Sequence, residues 1–376
     1  MEGIVLALFV CLVLAIITKY LSIPPIPFYI IGGVLLGQSG LGLVESNEIS
    51  HFLSQMGLIF LLFFMGLGLR LDRIAANRSA VFTSGFVDLN INMLIGFVAA
   101  YLFGFSIIES VVIAAAFYIS STAMAITSLI DNRKLMMREA ETIIWLMVFE
   151  DLVLIIFLAI ISAGDQNPIL FLGKIVLVLA ILYAIAHYGK EFLVGILDRS
   201  DELPILFTFG AVLTTASFSM YIGVPETMMV IALGAALATM DPDAFESHAQ
   251  PFKDVFLVVF FVFFGITINL SGGVDFFMIG VISLLAVASK LLSGILTGLF
   301  IHESVYSGIE IWGNTIARGE FSIALAALYG SPLVATVIAV MVVVTSIVGA
   351  FTAKYTGRLR RWMASPGRRA PHRHGH

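Results

Sequence analysis

The chain has 376 residues, 60% of them hydrophobic and only 12% charged, with a net charge of −5 and a mean hydropathy of +1.04. A soluble domain carries about 25% charged residues, so this composition excludes a soluble globular domain, makes the lipid bilayer the solvent, and gives no reason to expect a nucleic-acid partner. Runs such as Val255 to Ile266 do not alternate as the segments of a strand barrel would, and a single cysteine, Cys11, excludes a disulfide framework or a cysteine metal cluster.

Apolar runs bounded by charge, Gly and Pro predict an all-α integral membrane protein of about 13 transmembrane helices. The spans fall at about 3–19, 25–41, 51–68, 79–103, 106–130, 141–163, 168–188, 202–220, 224–240, 254–270, 276–300, 305–329 and 331–355. Span 1 has no basic lead-in and no small-residue cleavage site, so it reads as a retained helix, with Cys11 a small buried hydrophobe. Span 4 carries Asp88 with Asn90 and Asn92, which either line a cytoplasmic approach or pack helices together. Span 5 reads Tyr118-Ile119-Ser120-Ser121-Thr122-Ala123-Met124. Small and hydroxylated residues at mid-membrane are what a broken helix needs, because side chains and water must satisfy the freed backbone groups. Ordinary small-residue packing is the alternative.

Span 6 reads Trp145-Leu146-Met147-Val148-Phe149-Glu150-Asp151-Leu152-Val153-Leu154 and puts two adjacent carboxylates near mid-bilayer. Neighbouring helical residues point about 100° apart, so one acid can face a water-filled cavity while the other faces a helix. Intramembrane ionisable groups are costly and usually mark an ion pathway; a structural ion pair is the competing reading. Span 11 supplies a base, Lys290, within Val287-Ala288-Ser289-Lys290-Leu291-Leu292. Beside a carboxylate, Lys290 becomes part of a coupled titrating unit; alone it could be structural. Span 12 reads Gly313-Asn314-Thr315-Ile316-Ala317-Arg318-Gly319-Glu320-Phe321-Ser322, a second candidate break, in which Arg318 and Glu320 need a cavity or charged partners. Glu109, Glu226 and Glu310 lie near span ends, where solvation is expected.

Spans 4–6 and 11–13 are seven spans apart, an odd number, so the two triplets run in opposite directions. That is the pattern of inverted repeats with two discontinuous helices and a midplane site. Odd-numbered connections carry Arg70, Arg73 and Arg78, then Arg133, Lys134 and Arg138, then Lys190 and Arg199, then Lys253, while even-numbered ones are nearly free of basic residues. The charge bias puts the N-terminus outside and the C-terminus in the cytoplasm of a multi-pass cell-membrane protein. The loop around His302 to Ser307 is a basic-free exception. Residues 1–357 are read as the transmembrane exchanger domain, and 358–376 as a short basic cytoplasmic tail near anionic lipid.

Several stretches, in this order, resemble one family. They are Gly57 to Leu67, Ser120-Ser121-Thr122-Ala123, Phe149-Glu150-Asp151-Leu152, Pro251-Phe252-Lys253-Asp254-Val255-Phe256, Phe260 to Gly265, Lys290 and Arg318-Gly319-Glu320-Phe321. The family is the monovalent cation:proton antiporter-2 group, which contains Kef-type potassium/proton and NapA-type sodium/proton antiporters, and the similarity runs through all predicted spans. The resemblance implies that Asp151 is the transport carboxylate, that Lys290 is the mid-membrane base, and that spans 5 and 12 are crossed and unwound. It also implies a homodimer. Glu150 departs from the pattern, since Kef-type members have Gln there and NapA-type members Asp; this touches ion choice and proton count. The nucleotide-binding domain that often follows the membrane part in Kef-type proteins is not seen in this sequence, which leaves a separate regulatory subunit as the place for such control.

The function expected is a secondary antiporter, not an enzyme, exchanging Na+ or K+ for H+ by alternating access and serving pH homeostasis. Asp151 is the shared cation/proton site and the one monovalent-metal ligand, with Glu150 beside it and Lys290 as charge partner. Ser120, Ser121, Thr122, Asn314, Arg318 and Glu320 line the unwound helices, Asp88 the cytoplasmic approach. No cofactor is expected beyond the transported ions. A sodium-coupled organic-anion symporter of the related crossed-helix fold is the alternative, against which the adjacent mid-membrane acids argue. A cation channel lacks a repeated filter segment, and an intramembrane enzyme lacks a mid-span histidine, since His51, His187, His248 and His302 all lie near span ends.

Overall fold

The computed structural model describes residues 2–21, 24–69, 78–164, 166–240, 242–270 and 275–363. Among these the chain forms sixteen helices: α1 (Glu2–Leu21), α2 (Pro25–Leu36), α3 (Glu48–Leu67), α4 (Arg78–Leu102), α5 (Ile107–Tyr118), α6 (Thr122–Asp131), α7 (Arg138–Ala163), α8 (Pro168–Tyr188), α9 (Lys190–Leu197), α10 (Leu203–Ile222), α11 (Glu226–Leu237), α12 (Pro242–Thr267), α13 (Phe276–His302), α14 (Val305–Thr315), α15 (Glu320–Tyr329) and α16 (Pro332–Met363). The all-helical membrane architecture is as expected. Local chemistry sets several starts. Asn47 and Ser50 form a reciprocal capping box on α3, with bonds of 2.9 and 2.8 Å, Ser106 and Glu109 form another on α5, and Asn167 caps α8 just before Pro168. Such caps satisfy amide groups that have no partner in the first turn.

Ten stretches are long and apolar enough to cross a bilayer by length and composition. The expected thirteen is reached only if α2, α11 and the α14–α15 pair, all built of shorter helices, cross as well. Two boundaries differ from expectation. α12 starts at Pro242 rather than near 254 and runs through Pro251, because the polar segment ahead of the apolar run continues the same helix. α16 continues to Met363, past the expected domain boundary at 357. Arg70, Arg73 and the tail from 364 onward lie outside the described residues.

The chain divides into two compact units. The first comprises Met1–Leu21, Phe28–Arg78 and Asp151–Val274. Its centre is α3, packed against α11 and α12. Phe60 stacks within 5.5, 5.9 and 6.1 Å (centroid to centroid) of Phe209, Phe252 and Phe256. Where α3 meets α11, Gly66 and Gly234 lie back to back, and a Cβ on either would sit 2.3 Å from a carbonyl oxygen of the other helix. Such small-residue contacts let backbones approach where lipid supplies no hydrophobic drive to associate.

The second unit comprises Ser22–Pro27, Ser79–Glu150 and Asp275–His376. It gathers the two span triplets expected to form the inverted repeat, up to Glu150. Ala125 and Leu129 of α6, Ala140, Ile143, Leu146 and Met147 of α7, and Ile311 of α14 make one buried apolar cluster.

Candidate functional site

Two helices of the second unit are interrupted. α5 ends at Tyr118 and α6 begins at Thr122, with Ile119 (φ −72°, ψ 125°) and Ser121 (φ −82°, ψ 106°) extended. α14 ends at Thr315 and α15 begins at Glu320, after Gly319 in extended backbone. Freed backbone groups must find partners, and these two breaks supply them to one another. The Ser121 amide donates to Ala317 O at 2.7 Å, Ser322 Oγ donates to Ala116 O at 2.9 Å, and Ser121 Oγ donates to Glu320 Oε2 at 3.1 Å. Ser120 Oγ lies 2.9 Å from Thr315 O and 3.1 Å from Glu150 Oε1, and its one proton serves either acceptor. Ser128 Oγ reaches Asn314 Oδ1 at 2.9 Å. Closeness at the crossing depends on Gly319, where a Cβ would fall 2.5 Å from Ser121 Cβ.

Arg318, 0% exposed, sits in the second break. Its Nε and Nη2 donate to Phe117 O at 2.9 and 2.6 Å, Nη1 to Ile316 O at 2.5 Å, and Nη2 also to Ala286 O at 3.1 Å. Phe117 lies in the last turn of α5, whose carbonyls lack helical partners and carry partial negative charge. The guanidinium therefore caps a half-helix inside the protein. Glu320 is buried across from Ser121 and opens α15.

Beside the crossing lies a buried charged cluster. Lys290 of α13, 0% exposed, donates to Glu150 Oε1 at 2.8 Å and to Asp88 Oδ2 at 2.6 Å. Glu150 Oε2 also accepts the Ser120 amide at 2.5 Å, which ties it to the first break. Asp88 Oδ1 accepts Ser293 Oγ at 2.6 Å and Asn92 Nδ2 at 2.8 Å. The Lys290 ammonium stands 5.4 Å from the Tyr118 ring centroid, within the range of a cation–π contact. One cation between two carboxylates leaves an excess of negative charge in the protein interior.

Of the residues singled out from sequence, Ser120, Ser121, Asn314, Arg318, Glu320, Glu150 and Lys290 lie in this one network. Thr122 is the first residue of α6 and is only partly buried. Asp151 follows Glu150 on α7 and keeps accessible surface, on a helix where adjacent side chains diverge by about 100°. Asp88, for which lining an approach and packing helices were the two readings, is 1% exposed and engaged with Lys290. Asn92, noted from sequence only as a companion of Asp88, and Ser289 and Ser293, which were not singled out, also join the network; their signal was the i, i+4 pairing of Asp88 with Asn92 and of Ser289 with Ser293 on two helices. Glu310, expected to be solvated, is 1% exposed and pairs with Lys134, which sequence placed in a loop. Lys134 also donates to Ala353 O at 2.6 Å and Thr356 Oγ1 at 2.7 Å, so α16 covers what looked like a span end.

The chain is similar to known proteins along nearly its whole length. Residues 4–357 match the family described as sodium/hydrogen exchanger, transmembrane. The K(+)/H(+) antiporter subunit KhtU of Bacillus subtilis is 28% identical, covering 94% of this chain and 93% of its own. The Na(+)/H(+)-K(+) antiporter GerN of Bacillus cereus is 25% identical, covering 87% and 88%. Among solved structures, the sodium proton antiporter MjNhaP1 of Methanocaldococcus jannaschii superposes with a TM-score of 0.71 over 95% of this chain and 96% of its own, at 20% identity, which shows a shared fold. With the family match running from within α1 into α16, this chain belongs to the sodium/hydrogen exchanger transmembrane family.

Proposed function

We propose that the chain is a secondary antiporter that exchanges a monovalent cation, Na+ or K+, for H+, with Asp151 as the shared site. The observation that carries this reading is the contrast among the acids of the membrane interior. Asp88, Glu150 and Glu310 are each 1% exposed and ion-paired, whereas Asp151, one residue from Glu150, retains accessible surface. One carboxylate binds either a proton or a cation but not both, so competition for Asp151 is enough to make exchange obligatory. The two breaks carry hydroxyls and carbonyls of the kind that replace a cation's lost water. The names of KhtU and GerN, antiporters of K+ and Na+ against H+, support the ion class.

Alternating access is assigned to rocking of spans 4–6 and 11–13 against the rest of the chain. If only Asp151 changes occupancy, one cation moves per proton. We place the N-terminus outside and the C-terminus in the cytoplasm of a cell-membrane homodimer. KhtU is named as a subunit, which supports a separate regulatory chain here.

Purified protein in proteoliposomes with an internal pH dye tests the reading. Addition of Na+ or K+ is expected to move protons in the wild type, and Asp151→Asn is expected to reduce the signal to that of empty liposomes. Exchange that persists in Asp151→Asn overturns the site assignment.

A further inference from the structure

Lys290 has two carboxylate partners, and they are held in different ways. Asp88 sits on α4, and all its side-chain donors come from α4 and α13: Lys290 at 2.6 Å, Ser293 at 2.6 Å and Asn92 at 2.8 Å. Asn92 is fixed in turn, accepting Ser289 Oγ at 2.7 Å and donating to the Asp88 carbonyl at 2.8 Å. Both helices are uninterrupted through this region. Glu150, by contrast, takes its other bonds from the Ser120 amide and hydroxyl, in the extended segment between α5 and α6. One carboxylate is bolted to continuous helices and the other to the broken one.

We propose that Asp88 is a positioning residue for the exchange: it is the counter-ion that stays with Lys290, so that Glu150 can release the lysine during the transport cycle. This rests on the antiporter reading above. A lysine buried without a counter-ion is strongly unfavourable, so a Lys290 held by Glu150 alone would lock that carboxylate in place. With Asp88 present, Glu150 can release Lys290 while the ammonium stays compensated. The other groups facing the ammonium do not substitute for Asp88. Tyr118 offers a ring face, and Arg318, which donates to Ala286 O on the same helix, is itself a cation. Asp88 acts on the exchange only through Lys290.

The test uses full-length chain in proteoliposomes, with exchange rate measured against Na+ and K+ concentration. Asp88→Asn is expected to lower the maximal rate at least about tenfold while the half-saturating cation concentration stays within about threefold, the signature of a lost step rather than lost binding. Adding Lys290→Gln in the Asp88→Asn background removes the stranded charge and is expected to raise the rate at least about fivefold above the single variant. A merely structural Asp88 would lower the yield of folded Asp88→Asn and its melting temperature, but leave the maximal rate per folded protein at the wild-type value. Asp88→Asn at wild-type rate, or a double variant without recovery, overturns the proposal. Should Asp88→Asn not reach the membrane as a monodisperse protein, the double variant alone decides: measurable exchange supports the role, and its absence in a folded double variant refutes it. Lack of exchange by the wild type would remove this proposal and the antiporter reading together, whereas wild-type exchange with an unaffected Asp88→Asn removes this one only.

Discussion

Lys134 and Glu310 form an ion pair with side-chain exposures of 8% and 1%, and Asn314 and Thr356 also bond Glu310 Oε1 at 3.2 and 3.1 Å. Breaking such a pair from one side strands a charge and costs about 3–5 kcal/mol, while replacing both partners with apolar residues of similar volume is close to neutral. Lys134→Met is therefore expected to lower the melting temperature in detergent sharply, and Lys134→Met/Glu310→Leu to recover most of the loss. Equal melting temperatures for the two variants would show that the pair contributes little. Sequence could not indicate this pair. The partners are 176 positions apart, one in a charged connection and the other near a span end, and only the packing of α14 and α16 removes both from water. Glu150 and Lys290 were legible for the opposite reason: each interrupts an apolar run at its middle, where a charge demands an explanation.

At the scale of elements, the interruptions of α5–α6 and α14–α15 were legible because small or polar residues fall at matching depth in both, Ser120, Ser121 and Thr122 in the first and Gly313, Asn314, Thr315 and Gly319 in the second. Nothing in that pattern says which amide meets which carbonyl, since the contacts join residues about 200 positions apart that only the fold brings into register, as with Ser121 and Glu320. Asp88 was legible as an intramembrane acid but not as a partner of Lys290, 202 positions away. The crossing makes its own prediction. Gly319→Ala would set a Cβ 2.5 Å from Ser121 Cβ, and overpacking of this kind costs about 1–3 kcal/mol. The variant is expected to exchange at least about tenfold more slowly, and Ser121→Gly in the same chain is expected to restore part of the rate by removing the opposing carbon. Full activity in Gly319→Ala would show that the two interruptions have slack between them.

At the scale of the whole molecule, orientation is open to direct measurement. Cys11 is the one cysteine and is 3% exposed, so a Cys11→Ala background carries single reporters cleanly. Glu45→Cys and Lys190→Cys replace exposed residues on connections of opposite charge character. In right-side-out vesicles an impermeant thiol reagent is expected to label the first and spare the second; the reverse pattern inverts the topology. The wider consequence lies in Arg318. Because carbonyl oxygens of Phe117, Ile316 and Ala286 accept from its guanidinium, the side chain is held by backbone alone where the chain doubles past itself. No carboxylate is drawn into that hold, so the nearby acids keep partners of their own, Ser121 for Glu320 and Lys290 for Glu150. Lysine at 318 would undo this, since a single ammonium cannot span three carbonyls facing different ways.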